Sequence, residues 1–157
     1  MKGKKSGIIQ AEYLPLVLFG IALVLLTDVS GVVRLGFLCS CLHECGHLVA
    51  WLLLTHTRPK LILCPTGFRL SLQGIAFPPW QMVFLASAGP MVNLFCAAII
   101  IFWLQCHPAS YLLCYFIAAN ILLGAFNLLP VHGLDGWQIF TNLHSWFLKQ
   151  HSPPAHR

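Results

Sequence analysis

Residues 33–54 read VRLGFLCSCLHECGHLVAWLLL. Apart from Arg34, this is an apolar run of the length a bilayer demands, about 20 residues. Its polar cluster of His43, Glu44 and His47 sits near the middle. An ionisable residue at mid-span is expensive and marks function by default. His43-Glu44-Cys45-Gly46-His47 is an H-E-x-x-H pattern. On a helix, residues four apart lie about 40° from each other, so both imidazoles can reach one metal ion. Glu44, about 100° from His43, can touch a water on that ion. Gly46 on the flank of His43 would let a second backbone approach closely, and Cys45 points away. Composition alone gives a chance expectation of about 0.01 such matches.

Outward from this stretch the chain stays apolar. Of its 157 residues 58% are hydrophobic and 8% are charged, with mean hydropathy +0.79. Soluble domains carry about 25% charged residues, so most soluble enzymes and disordered proteins are excluded. No Asp, Glu, Lys or Arg occurs from Leu70 to Leu134. The pattern predicts an all-α polytopic membrane protein, one domain over 11–148, with about four transmembrane helices at 12–28, 33–54, 80–103 and 111–130. Pro15 falls in the first turn of the first, where proline is tolerated. Trp80 and Trp103 bracket the third as interfacial anchors. Pro130 breaks the fourth, and a short helix is expected over Trp137–Leu148. Residues 1–10 form a basic tail and 149–157 a flexible one. Between the second and third spans, 58–79 is rich in Pro and Gly. There Phe68–Gln73 alternates apolar and polar as a half-buried strand would, with Leu61–Leu63 as its expected partner across Pro65-Thr66-Gly67. A small membrane-surface β-hairpin is the expectation.

The basic residues are few and scattered, so nucleic acid is not an expected partner. As a topology signal they are clear. Lys2, Lys4, Lys5, Arg58, Lys60, Arg69, Lys149 and Arg157 fall on one side of the predicted spans, and Arg34 alone on the other. The positive-inside rule puts both termini and the 55–79 connection in the cytoplasm. A cell (inner) membrane is the expected location. The seven cysteines include no C-x-x-C pair and read as small apolar fillers. The basic start followed by an apolar run has no convincing cleavage site, so a retained first helix is expected.

Two imidazoles do not complete a catalytic zinc site, which usually takes three protein ligands and leaves one position open. Candidate third donors are Asp28 in an outer turn, Glu12 near the first boundary, Asp135 after the fourth span, and His132. Read alone, Asp135-Gly136 is equally a turn dipeptide.

Three motifs in order now bear on that choice: His43-Glu44-Cys45-Gly46-His47, then Gly89-Pro90-Met91-Val92-Asn93, then Asn127, Pro130, Asp135 and Gly136 spaced as N-x-x-P-x-x-x-x-D-G. Together they resemble the site-2 protease family of intramembrane zinc metalloproteases, over roughly residues 35–140. The resemblance implies one Zn2+ per chain held by His43, His47 and Asp135, Glu44 as general base, and a catalytic core of the second, third and fourth spans. Family members can carry a PDZ or CBS domain, so this chain looks like a minimal member. It departs locally, with Gly133 and Trp137 where many members have Pro and Gly. Asn127 offers an amide that could stabilise an oxyanion, or could merely end its helix. Gly89-Pro90 and Asn93 are expected to pack the third span on the second, with an interhelical hydrogen bond from Asn93. His56, His107, His144, His151 and His156 are assigned no chemistry.

The expected function is that of an intramembrane zinc endopeptidase, cutting within or near a transmembrane segment of a protein substrate. Its partners would be that substrate and the lipid bilayer, with a regulatory membrane partner left open. The alternative is a non-proteolytic membrane metal-binding regulator, a pseudoprotease; retention of Glu44 argues against it. A metal transporter would want ionisable residues along a whole path, whereas here they converge on one place.

Overall fold

The structure is a computed structural model, in which residues 19–57, 60–64, 67–71 and 77–151 are described. The 1–10 tail, most of the first expected span, parts of the 58–79 connection and residues 152–157 lie outside the described residues. Among the described residues are five helices: α1 (19–27), α2 (Val32–Thr55), α3 (Pro79–Trp103), α4 (Tyr111–Asn127) and α5 (Asp135–His151). Strands β1 (Lys60–Cys64) and β2 (Gly67–Ser71) lie between α2 and α3. They pair antiparallel, Lys60 opposite Ser71 and Cys64 opposite Gly67, so Gly67 belongs to β2 rather than to the turn.

Among the described residues two helices, α2 and α3, are long and apolar enough to cross a membrane. Only a third of the most apolar 18-residue stretch of each is buried inside the protein. Phe95, Phe102 and Leu122 remain 66%, 80% and 69% exposed. So much bare apolar surface suits a lipid solvent, in which helices associate through small residues and polar contacts rather than by hiding apolar side chains from water. α4 has 17 residues, about 25 Å of helix, short of the roughly 30 Å hydrocarbon layer.

The break between α1 and α2 is organised by Asp28. Its carboxylate accepts hydrogen bonds from the backbone N–H of Arg34 (2.9 Å) and Gly31 (3.0 Å) and from Ser30 Oγ (2.8 Å). It therefore satisfies free donors at the start of α2. The Arg34 guanidinium returns to the Asp28 carbonyl at 2.7 Å. The Arg34 N–H above all, with Ser30 and Gly31, holds the Asp28 carboxyl below the usual carboxylate range against the opposing effect of burial. Asp28, a candidate ligand by residue type, is thus committed to capping a helix. At its other end α2 closes on Trp51, whose Nε1 donates to Thr57 O (3.1 Å). Trp51 packs with Ala50 and Leu85, and edge-on against Phe77.

α3 is the central element and packs against α2, α4 and α5. Its neighbours reach it through glycines. A Cβ on Gly46 of α2 would stand 2.6 Å from Ala88 O, and one on Gly124 of α4 would stand 3.3 Å from Pro90 O. The expectation that Gly46 admits a second backbone holds, and that backbone belongs to α3.

α4 ends at Asn127, three residues short of the expected boundary. Pro130 explains this: it disfavours helical geometry at the residue before it and has no N–H for the helix ladder. The segment 128–134 turns through bonds from Val131 N–H to Leu129 O (2.8 Å) and Leu134 N–H to Val131 O (3.1 Å), with Gly133 at φ +100°. Gly136 then passes directly against the carbonyls of Leu128 and Leu129, where no Cβ fits. The expected short helix after it is longer, reaching His151.

Candidate metal centre

His43 and His47 lie on consecutive turns of α2, both buried. Their rings meet edge-on with centroids 4.8 Å apart. His43 is the twelfth of 24 residues in α2, so the pair stands midway along that helix. Asp135, the first residue of α5, comes to the same place. Its Oδ2 lies 3.0 Å from His43 Nε2 and 3.3 Å from His47 Nε2, and the two Nε2 atoms lie 3.1 Å apart. Residues 92 positions apart in sequence are joined here. The α4–α5 break therefore sits level with the middle of α2.

The tautomers of both histidines follow from their outer bonds. His43 Nδ1 faces Asn93 Oδ1 at 2.7 Å, and His47 Nδ1 faces the Leu85 carbonyl at 2.9 Å. Both oxygens only accept, so each Nδ1 carries the proton and donates it. In the neutral rings, both Nε2 atoms then offer lone pairs, aimed at each other and at a carboxylate oxygen. Three acceptors converge with no donor between them, an arrangement that calls for a cation. Atoms about 2.0–2.1 Å from a tetrahedral metal stand roughly 3.3–3.4 Å from one another. The observed separations of 3.0, 3.1 and 3.3 Å are close to that. His43, His47 and Asp135 are thus a group able to hold a metal ion. Backbone and amide partners on the far nitrogens are the outer contacts that fix ligand orientation in metal sites.

Space for an ion is kept by Gly89 on α3. A Cβ there would stand 2.7 Å from His43 Nε2 and closer still to His47 Nε2. Glu44, next to His43 on α2, is half-buried and has no hydrogen-bond partner among the described residues.

Other sequence candidates fall elsewhere. His132 is exposed and stacks on Trp137 (5.7 Å between centroids). Asn127 Nδ2 donates to Leu123 O on its own helix (3.0 Å), which holds the amide at the last turn of α4. Asn93 makes the expected interhelical bonds, and one of its partners proves to be His43. The Leu85 carbonyl carries no sequence signal, because every residue has one. Gly89 appeared in the sequence only as a packing residue.

No protein-family model matches the chain, and no curated protein matches it by sequence. Among solved structures, the Site-2 Protease from Methanocaldococcus jannaschii is similar, with a TM-score of 0.57 and 24% identity. The match covers 87% of this chain and 63% of that one, so this chain spans less than two thirds of the length of that neighbour. At this identity the likeness shows a shared fold.

Proposed function

We propose that this chain is an intramembrane zinc endopeptidase that cleaves a transmembrane or membrane-proximal segment of another protein. One observation carries the reading: two Nε2 lone pairs and a carboxylate oxygen converge within 3.3 Å at mid-helix, beside a glutamate with no hydrogen-bond partner among the described residues. Two imidazoles and one carboxylate, with a position left open, are the donor set of catalytic zinc. When bound, zinc would lower the pKa of a coordinated water to about 7 and polarise the scissile carbonyl.

The rest falls to the chain's own residues. His43, His47 and Asp135 hold the ion, and Asn93 and Leu85 fix the two rings. Glu44 accepts the proton of the attacking water and passes it to the leaving amine nitrogen as the C–N bond breaks. With no hydrogen bond among the described residues, its carboxylate is open for both transfers. The polar cluster must line a wet cavity, since lipid offers no partner for these groups. Four spans with both termini in the cytoplasm remain part of the proposal, as do a protein substrate and a multi-pass location in a cell membrane. A pseudoprotease would need the three ligands but not Glu44.

Purified full chain in lipid vesicles with a single-span substrate should yield cleavage products. Chelation should abolish them and zinc should restore them. Cleavage that survives complete metal removal would overturn the assignment.

Asn127 is proposed as an oxyanion donor through the amide hydrogen that Leu123 does not take. Loss of one such donor costs about 10²–10³ in kcat. N127A should fall by that order with zinc content intact; unchanged turnover would leave Asn127 as a helix-end residue alone.

A further inference from the structure

α4 contributes one polar side chain to the closed interior of the bundle, Asn120, which is 0% exposed. Its Nδ2 donates to Phe116 O on its own helix (2.9 Å) and to Cys39 Sγ on α2 (3.1 Å). Its Oδ1 accepts from Asn93 Nδ2 at 2.8 Å. The same Asn93 Nδ2 also donates to Cys39 O on α2 (3.1 Å). Asn93 Oδ1 then receives the His43 Nδ1 proton. One chain of bonds therefore runs from a backbone carbonyl of α4 to a residue that faces the metal position.

We propose that Asn120 is a positioning residue for the metal centre. It holds the Asn93 amide in the orientation that keeps the proton of His43 on Nδ1 and leaves Nε2 free for the ion. The proposal rests on the metal-centre reading given above.

The physical reason lies in the near-equal size of the two ends of an amide. Turning Asn93 over would meet little steric resistance. Turned over, it would offer an N–H to His43 Nδ1. The ring would then carry its proton on Nε2, where no metal could bind. Two acceptors oppose that flip, Cys39 O and Asn120 Oδ1, because a reversed Asn93 would set its oxygen against both and leave buried groups unpaired. Asn120 is itself held the right way round, since its Nδ2 faces the Phe116 carbonyl. A role limited to fastening α4 to its neighbours would alter the stability of the bundle and leave the metal affinity of the folded protein as it was.

The test is cobalt(II) titration of the full chain in lipid nanodiscs, followed by d–d absorption. Wild type, N93L, N120L and the double variant are compared. N93L should weaken binding on the order of 10–100-fold, as loss of an outer contact to a ligand does. N120L should weaken it several-fold, and the double variant should bind no worse than N93L, since Asn120 acts only through Asn93. If N120L does not fold, N120A is read in the same way. Cobalt binding by N120L as tight as wild type, or a loss that adds in full to that of N93L, would overturn the proposal. Wild type that takes up no stoichiometric cobalt would instead overturn the metal-centre reading, and the proposal with it.

Discussion

E44Q is expected to stop peptide-bond cleavage while leaving zinc content unchanged. Gln matches Glu in size, and the Glu44 carboxylate makes no hydrogen bond among the described residues that the change would break. The fold and the three ligands should therefore survive. What disappears is the ability to take a proton from water and return it to the amine, worth about 10²–10⁴ in rate for a positioned acid–base group. Turnover and zinc content measured on the same preparation give the answer. Zinc retained with turnover within a few-fold of wild type would remove Glu44 from the mechanism.

G89A is expected to be as damaging, although it adds a single methyl group. That methyl would stand 2.7 Å from His43 Nε2 and nearer still to His47 Nε2, in the space where the ligand atoms converge. Neither side can yield cheaply. α3 is held by α2, α4 and α5, and both rings are tied at Nδ1. Zinc affinity should fall on the order of 100-fold, the upper end for changes beside a ligand, and cleavage should fall with it. G36A provides the control, since a Cβ there meets only the Tyr115 hydroxyl at 3.5 Å. Full zinc occupancy in G89A would mean that the ion does not sit between the two histidines and Asp135.

The membrane character and the histidine pair were legible because each depends on short-range pattern. An uncharged stretch from Leu70 to Leu134 can scarcely be dissolved in water, and H-E-x-x-H puts two rings on one helical face whatever surrounds it. Helix boundaries at Trp103 and Tyr111 were legible for the same reason. The end of α4 was less so. Pro130 announced a break, yet the helix stops at Asn127, because proline also disfavours helical geometry at the residue before it, and the last turn closes tightly through the N–H groups of Leu128 and Leu129. That Asp135 comes level with the middle of α2 could not be read from the sequence, because it depends on how the chain folds back after α4. Gly136, too tight against Leu128 and Leu129 for any side chain, is what permits that fold. Asp28 shows the opposite limit: its type made it a candidate ligand, and only three dimensions reveal that it caps α2. Asn120 did leave a trace, an amide within an apolar run, but its side-chain partners Asn93 and Cys39 lie on two other helices.

The central claim is that His43, His47 and Asp135 share one ion. Zinc K-edge X-ray absorption on the full chain in lipid tests it most directly. The account predicts one zinc per chain with only nitrogen and oxygen neighbours, at about 2.0–2.1 Å, two of them imidazoles. A first shell containing sulfur at about 2.3 Å, drawn from the exposed pair Cys41 and Cys45, or a spectrum unchanged in D135A, would contradict it.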